Sequence, residues 1–178
     1  MSVQAKQNAV KDRTAERDAI RAELEATRSA FHALLDQVSK ADWTKKSAAQ
    51  GSIGQLLVHI TGYLGIIVPR VVAGARAGKK NSMPVPSGAI GNRLNYLINR
   101  VLTIRASRDT IAAKYDAAHT AALKLLDGVQ DDEWEKATTY PAGHKTIPEI
   151  FRYHTTHFNE HAEHIRQCLD RKVAATER

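Results

Sequence analysis

Cysteine is nearly missing. A single thiol, Cys168, stands among 178 residues, so no intrachain disulfide can form, and a reducing cytoplasm suits that usage. The opening stretch MSVQAKQNAVKDRTAERD lacks the apolar core of a signal peptide, which argues against export. Strand-like alternation of apolar and polar residues is also lacking, leaving the 3.6-residue period of helices as the organising signal. Aromatics make up only 6% of the chain. There is no basic strand interleaved with aromatics, no zinc-finger spacing and no recognition helix, so no specific nucleic-acid partner is expected. What remains is an ordinary soluble balance, 43% apolar and 25% charged, in a length suited to one domain over residues 1–178.

Acidic residues are scarce in one region. Residues 51–110 carry eight basic side chains and only Asp109, a net +7, against +2 for residues 1–50 and −2 for residues 111–178. Such a segment is either a solvated basic face or an attractor of small anions. Overlapping its start, residues 47–69 hold no Asp, Glu, Lys or Arg, a length that could span a bilayer. Gln50, Ser52, Gln55, His59 and Thr61, with glycines at 51, 54, 62 and 65, make insertion poor, and a buried bundle helix is the reading adopted.

Residues 4–38 read as a long amphipathic helix with a frayed start over residues 1–10. Its apolar positions Ile20, Leu24, Phe31, Leu34, Leu35 and Val38 recur at helical steps. Ser52 can cap a second helix running to about Ala77, with Leu56, His59, Tyr63, Ile66 and Ile67 near one face and Pro69 expected to kink or interrupt it. Residues 78–91, rich in Gly, Pro and Asn, form a long loop. A helical piece over residues 92–105 follows, then a helix from Ser107 to about Leu126, a loop over residues 130–145 with a helical turn near Trp134, and a last helix capped by Thr146. The halves echo one another at an offset of 91 residues: LLDQV at 34–38, Trp43 and Lys45 match LLDGV at 125–129, Trp134 and Lys136. Two similar helix hairpins imply an all-α four-helix bundle.

The last helix carries four of the eight histidines, His154, His157, His161 and His164, at spacings of three, four and three. On an α-helix they share one stripe, overlapping the arc of Ile147, Ile150, Phe151, Phe158, Ile165 and Leu169. A single histidine on an apolar face is ordinarily a hydrogen-bonded core residue; four together need partners for many ring nitrogens, and a metal supplies one. His157 and His161, one turn apart, can grip one ion. A third ligand would come from another helix, and His59, set among Leu56, Leu57, Val58 and Ile60, is the best candidate, although one hydrogen bond would equally explain it. Three protein nitrogens leave a position for water or substrate.

The segments LLVHITGY at 56–63 and HFNEHAEHI at 157–165 resemble the two signature segments of the DinB/YfiT-like superfamily of four-helix bundles, and the likeness extends over about residues 20–170. The resemblance implies a metal triad of His59, His157 and His161 holding zinc, nickel or a similar divalent ion, often in a homodimer. It also implies relatives that act as thiol S-transferases, a mycothiol-dependent isomerase among them. His164 stands where the family often has Gln, and His154 adds a further imidazole; these two are the candidates for acid/base work, although both can simply hydrogen-bond.

The function expected is a divalent-metal-dependent enzyme, cytoplasmic and acting on a small molecule. It would activate either a low-molecular-weight thiol, as an S-transferase or isomerase, or water, as a small-molecule hydrolase. The alternative is a non-catalytic metal-binding stress or ligand-binding bundle. The string His157-Phe158-Asn159-Glu160-His161 also fits the HxxEH of one zinc protease group, but Glu160 would point about 60–100° away from the gap between the two histidines. Cys168 is read as a buried apolar filler.

Overall fold

The computed structural model describes residues 3–46, 51–83, 97, 101, 103 and 106–176, with side chains described between residues 13 and 170. Four helices form the frame: α1 (Val3–Gln37), α2 (Ile53–Arg76), α3 (Arg108–Asp127) and α4 (Ile147–Thr176). A short hairpin, β1 (Ala137–Tyr140) antiparallel to β2 (Gly143–Thr146), lies between α3 and α4. Of the helical piece expected over residues 92–105, residues 97, 101 and 103 are described, each helical; the rest, and the loop after residue 83, lie outside the described residues.

The apolar stripe of α1 is buried as its spacing requires: Ile20, Leu24, Phe31, Leu34, Leu35 and Val38 are all sealed in the core. Opposite it, α3 contributes Ile111, Tyr115, Ala118, Ala122 and Leu126, again at steps of three and four. Phe31 stacks on Tyr115 with ring centroids 3.8 Å apart and planes within 6°. From α4, Ile150, Phe151, Phe158, Ala162 and Ile165 complete the centre.

The 91-residue echo is repeated bond for bond. Val38 N–H donates to Leu35 O as Val129 N–H does to Leu126 O; Lys45 N–H reaches Asp42 O as Lys136 N–H reaches Glu133 O. Ile53 N–H then bonds Lys45 O at 3.0 Å, and Ile147 N–H bonds Lys136 O at 3.0 Å, so both histidine-bearing helices start from the same anchor. Ser52 and Gln55 form a capping box at the head of α2, as Ser107 and Thr110 do for α3.

Three local expectations are refined by the structure. Regular α-helix is interrupted just before Pro69, but α2 does not end at that residue. The turn before it, Tyr63–Ile67, widens into a π-helix in which Val68 N–H reaches back to Tyr63 O, and Pro69 then sits in the first turn of the resumed α-helix, where its missing N–H costs nothing. The added residue also rotates the downstream face, so Ile66, expected beside His59 and Tyr63, is 60% exposed. Finally, residues 130–145 contain strands as well as a loop. Two threonines and Tyr140 favour extended backbone, and Gly143 at φ +100° closes the tight reversal after Pro141. The start of the long loop docks on this hairpin, with Ser82 N–H donating to Thr139 O and Thr139 N–H to Lys80 O. By length and composition α2 could cross a membrane. In the bundle its apolar side, from Ile53 and Leu57 to Val72 and Ala75, is buried by the other helices.

Candidate metal centre

Two helices with matched beginnings bring the site together. The anchor and cap at Ser52 set the phase of α2, and His59 lies two turns further along. On α4, Thr146 N–H and Oγ1–H both donate to the Glu149 carboxylate, at 2.7 and 2.9 Å, fixing the first turn from which the stripe proceeds. Because α2 and α4 pack against each other, His59 meets His157 and His161 across 98 residues of sequence.

The Nε2 atoms converge. That of His157 is 3.0 Å from His59 Nε2 and 3.2 Å from His161 Nε2, and the three candidate ligand atoms all lie within 4.8 Å of one another. A proton on His157 Nε2 could bridge to only one neighbour, leaving another lone pair facing it. A cation satisfies all three. Ligand nitrogens about 2.0–2.1 Å from a tetrahedral ion sit roughly 3.3 Å apart, close to the two contacts that His157 makes.

The site's electrostatics suit that role. Burial, then the proximity of His59 and His161, pushes His157 down to about 2. Burial, then His59 and His164, lowers His161 to about 4, and burial alone lowers His59. All three are therefore neutral near pH 7, the form in which imidazole binds metal. His157 is buried, whereas His59 and His161 remain partly exposed, so the cluster reaches the surface on one side.

The remaining histidines fall elsewhere. His154 is 1% exposed and takes part in a hydrogen bond at 2.9 Å between its Nε2 and the Tyr115 hydroxyl; burial, then His119, lowers it to about 3. His164 is half-buried at the edge, its ring centroid 6.1 Å from that of His161. Neither belongs to the converging group. His32 pairs with Asp116, His144 contacts Thr139 Oγ1, and His119 lies 3.7 Å from Glu25. Glu160 is exposed on the outer side of α4, and Cys168 is buried with its thiol directed to Lys46 O.

The sequence reading missed the tyrosines around the cluster. The Tyr63 ring stacks on His157, with centroids 4.1 Å apart and planes at 25°, and lies nearly parallel to His154, with centroids 6.2 Å apart. Its hydroxyl bonds that of Tyr140 on β1 at 3.1 Å. The i, i+4 relation of His59 and Tyr63 was legible; the contribution of Tyr140 was not, because the hairpin itself was unseen.

A sequence profile described as the DinB superfamily matches residues 11–165. No curated protein sequence matches the chain significantly. Among solved structures, the fold is similar to a mycothiol-dependent maleylpyruvate isomerase at a TM-score of 0.64 and 14% identity, over 84% of this chain and 60% of that one, so this chain spans well under two thirds of the isomerase. It is also similar to YfiT from Bacillus subtilis, described as a probable metal-dependent hydrolase with an unusual four-helix bundle topology, at a TM-score of 0.61 and 14% identity over 89% and 87% of the two chains. A third likeness is the colibactin self-resistance protein ClbS, solved in complex with double-stranded DNA, at a TM-score of 0.65 and 12% identity over 85% and 94%. At these identities the likeness shows the fold.

Proposed function

Because the chain belongs to the DinB superfamily, we propose that His59, His157 and His161 hold one divalent ion, zinc or nickel, in an enzyme acting on a small molecule. The observation that carries this reading is the convergence of three neutral Nε2 atoms from two helices. A bound ion would supply Lewis acidity, lowering the pKa of a coordinated thiol or water so that it is a nucleophile at neutral pH. The protein's own residues do the rest. Partly exposed His59 and His161 leave one side of the cluster open to a small molecule, while buried His157 closes the other. His164, at the edge, is the imidazole placed to exchange a proton with a reacting group, and His154, bonded to Tyr115, supports the core behind the cluster.

The exposed cations Arg70, Lys79 and Lys80 on α2 and the loop after it favour anionic substrates. A carboxylate-bearing low-molecular-weight thiol fits that charge, making S-transfer or isomerisation the preferred chemistry and hydrolysis of a small molecule the second. The protein is proposed to work in the cytoplasm as a homodimer.

Metal content per chain, measured after reloading and exhaustive dialysis, tests the reading. Wild type is expected to keep one ion, and His59→Ala, His157→Ala and His161→Ala to lose it, while His32→Ala and His144→Ala retain it. Full occupancy in His59→Ala together with an empty site in His154→Ala or His164→Ala would overturn the triad, and wild type that takes up no metal would remove the basis of the enzyme reading.

A further inference from the structure

Metal-binding histidines ordinarily have their ring orientation fixed by a hydrogen bond from the second ring nitrogen to a carboxylate, carbonyl or water. His157 departs from that pattern. It is the central member of the cluster, with its Nε2 in contact with both other Nε2 atoms. Its Nδ1, like that of His161, is buried without a hydrogen-bond partner among the described residues. A ring held only by its own χ angles can rotate away from the shared point, so something else must set its plane.

We infer that Tyr63 is the positioning residue for His157, fixing the imidazole plane by ring stacking, and that Tyr140 locks Tyr63 in turn. Three observations carry this. The Tyr63 ring covers His157 face to face at 4.1 Å and 25°, the closest approach of any ring to His157. Tyr63 is only 7% exposed, so packing holds its ring in place. Its hydroxyl meets that of Tyr140 at 3.1 Å in a buried pair, tying the ring to the hairpin. The π-helical turn beginning at Tyr63 is part of the same device. It widens the helix where the stacking ring leaves it, and π-turns of this kind concentrate at functional sites. The hairpin between α3 and α4 thus acquires a role: through Tyr140 and Tyr63 it presses on the central metal-binding nitrogen.

The inference rests on the metal-centre reading, and the test separates the two. Dissociation constants for Zn2+ and Co2+ are measured by chelator competition, together with the visible spectrum of the Co2+ form, for wild type, Tyr63→Leu, Tyr63→Phe, Tyr140→Phe and Phe31→Leu. Tyr63→Leu removes the ring and is expected to weaken binding by about 10–100-fold, the usual cost of losing an orienting neighbour, and to alter the Co2+ spectrum. Tyr63→Phe keeps the stack and is expected to stay within a few-fold of wild type. Tyr140→Phe removes the same hydroxyl pair while keeping the stack, and is expected to match Tyr63→Phe. Phe31→Leu, which disturbs the core at the Phe31–Tyr115 stack, is expected to lower the melting temperature in EDTA while leaving the dissociation constant and spectrum unchanged. Should Tyr63→Leu fail to fold, Tyr63→Met fills similar volume without a ring plane and is expected to show the same loss. Wild-type affinity and spectrum in Tyr63→Leu or Tyr63→Met would overturn the inference while leaving the triad standing, as would an equal loss in Phe31→Leu. Wild type that binds neither ion would overturn both.

Discussion

The buried pair of His154 and Tyr115 makes the apoprotein's acid stability predictable. His154 is 1% exposed and, through burial and then the proximity of His119, takes up its proton only at about 3 when folded, against 6.5 for an exposed imidazole. Below pH 6.5 the unfolded chain binds a proton there that the folded chain refuses, so acid favours unfolding. The stability due to neutral His154 is fully present above pH 6.5 and is lost progressively as pH falls towards 3. Within that window the loss approaches about 1.4 kcal/mol per pH unit for this one group, or about 3 kcal/mol between pH 6.5 and pH 4. That is a large part of a typical stability of roughly 5–15 kcal/mol. His154→Leu removes the titration and orphans the Tyr115 hydroxyl, a pH-independent cost of about 1–3 kcal/mol. The variant is therefore expected to be less stable than wild type at pH 7.5 but to have a flatter acid limb, shallower by about 1.4 kcal/mol per pH unit. Urea unfolding in EDTA at pH values between about 4 and 7.5 measures both curves, and the chelator keeps metal linkage out of the comparison. Parallel curves for wild type and His154→Leu would show that His154 takes up its proton as readily in the fold as in the unfolded chain, and would refute the reasoning.

Two further outcomes are expected. Phe31→Ala removes a fully buried ring from the stack with Tyr115 and should cost about 3–5 kcal/mol, read as a fall in the urea midpoint with little change in slope; a loss below about 1 kcal/mol would mean that the centre of the bundle closes around the gap. Light scattering at micromolar concentration should give twice the mass of one chain, and a clean monomer would remove the proposed homodimer.

The periodicities of α1, α3 and α4, the caps at Ser52, Ser107 and Thr146, and the 91-residue echo were all readable because each is a local pattern, set by residues within a few turns of one another. The one-turn spacing of His157 and His161 belongs to the same class, since a helix alone places them side by side. Everything that crosses between elements had to come from the fold. His59 reaches His157 only because α2 and α4, each anchored to its own connector, pack together. The separate fates of His154 and His164, three residues to either side of the pair on one stripe, depend on which neighbour stands opposite, Tyr115 in one case and the open edge in the other. The hairpin stayed hidden because four-residue strands carry too little alternation to register, and because its pairing and its contacts with the loop at residues 80–82 are themselves tertiary. Pro69 could be read as a disturbance of α2, but whether a helix breaks, kinks or widens is decided by what must be buried on either side. Here Tyr63 and Leu64 before it and Val71 and Val72 after it are all held in the core, and the backbone takes up the extra residue as a π-turn.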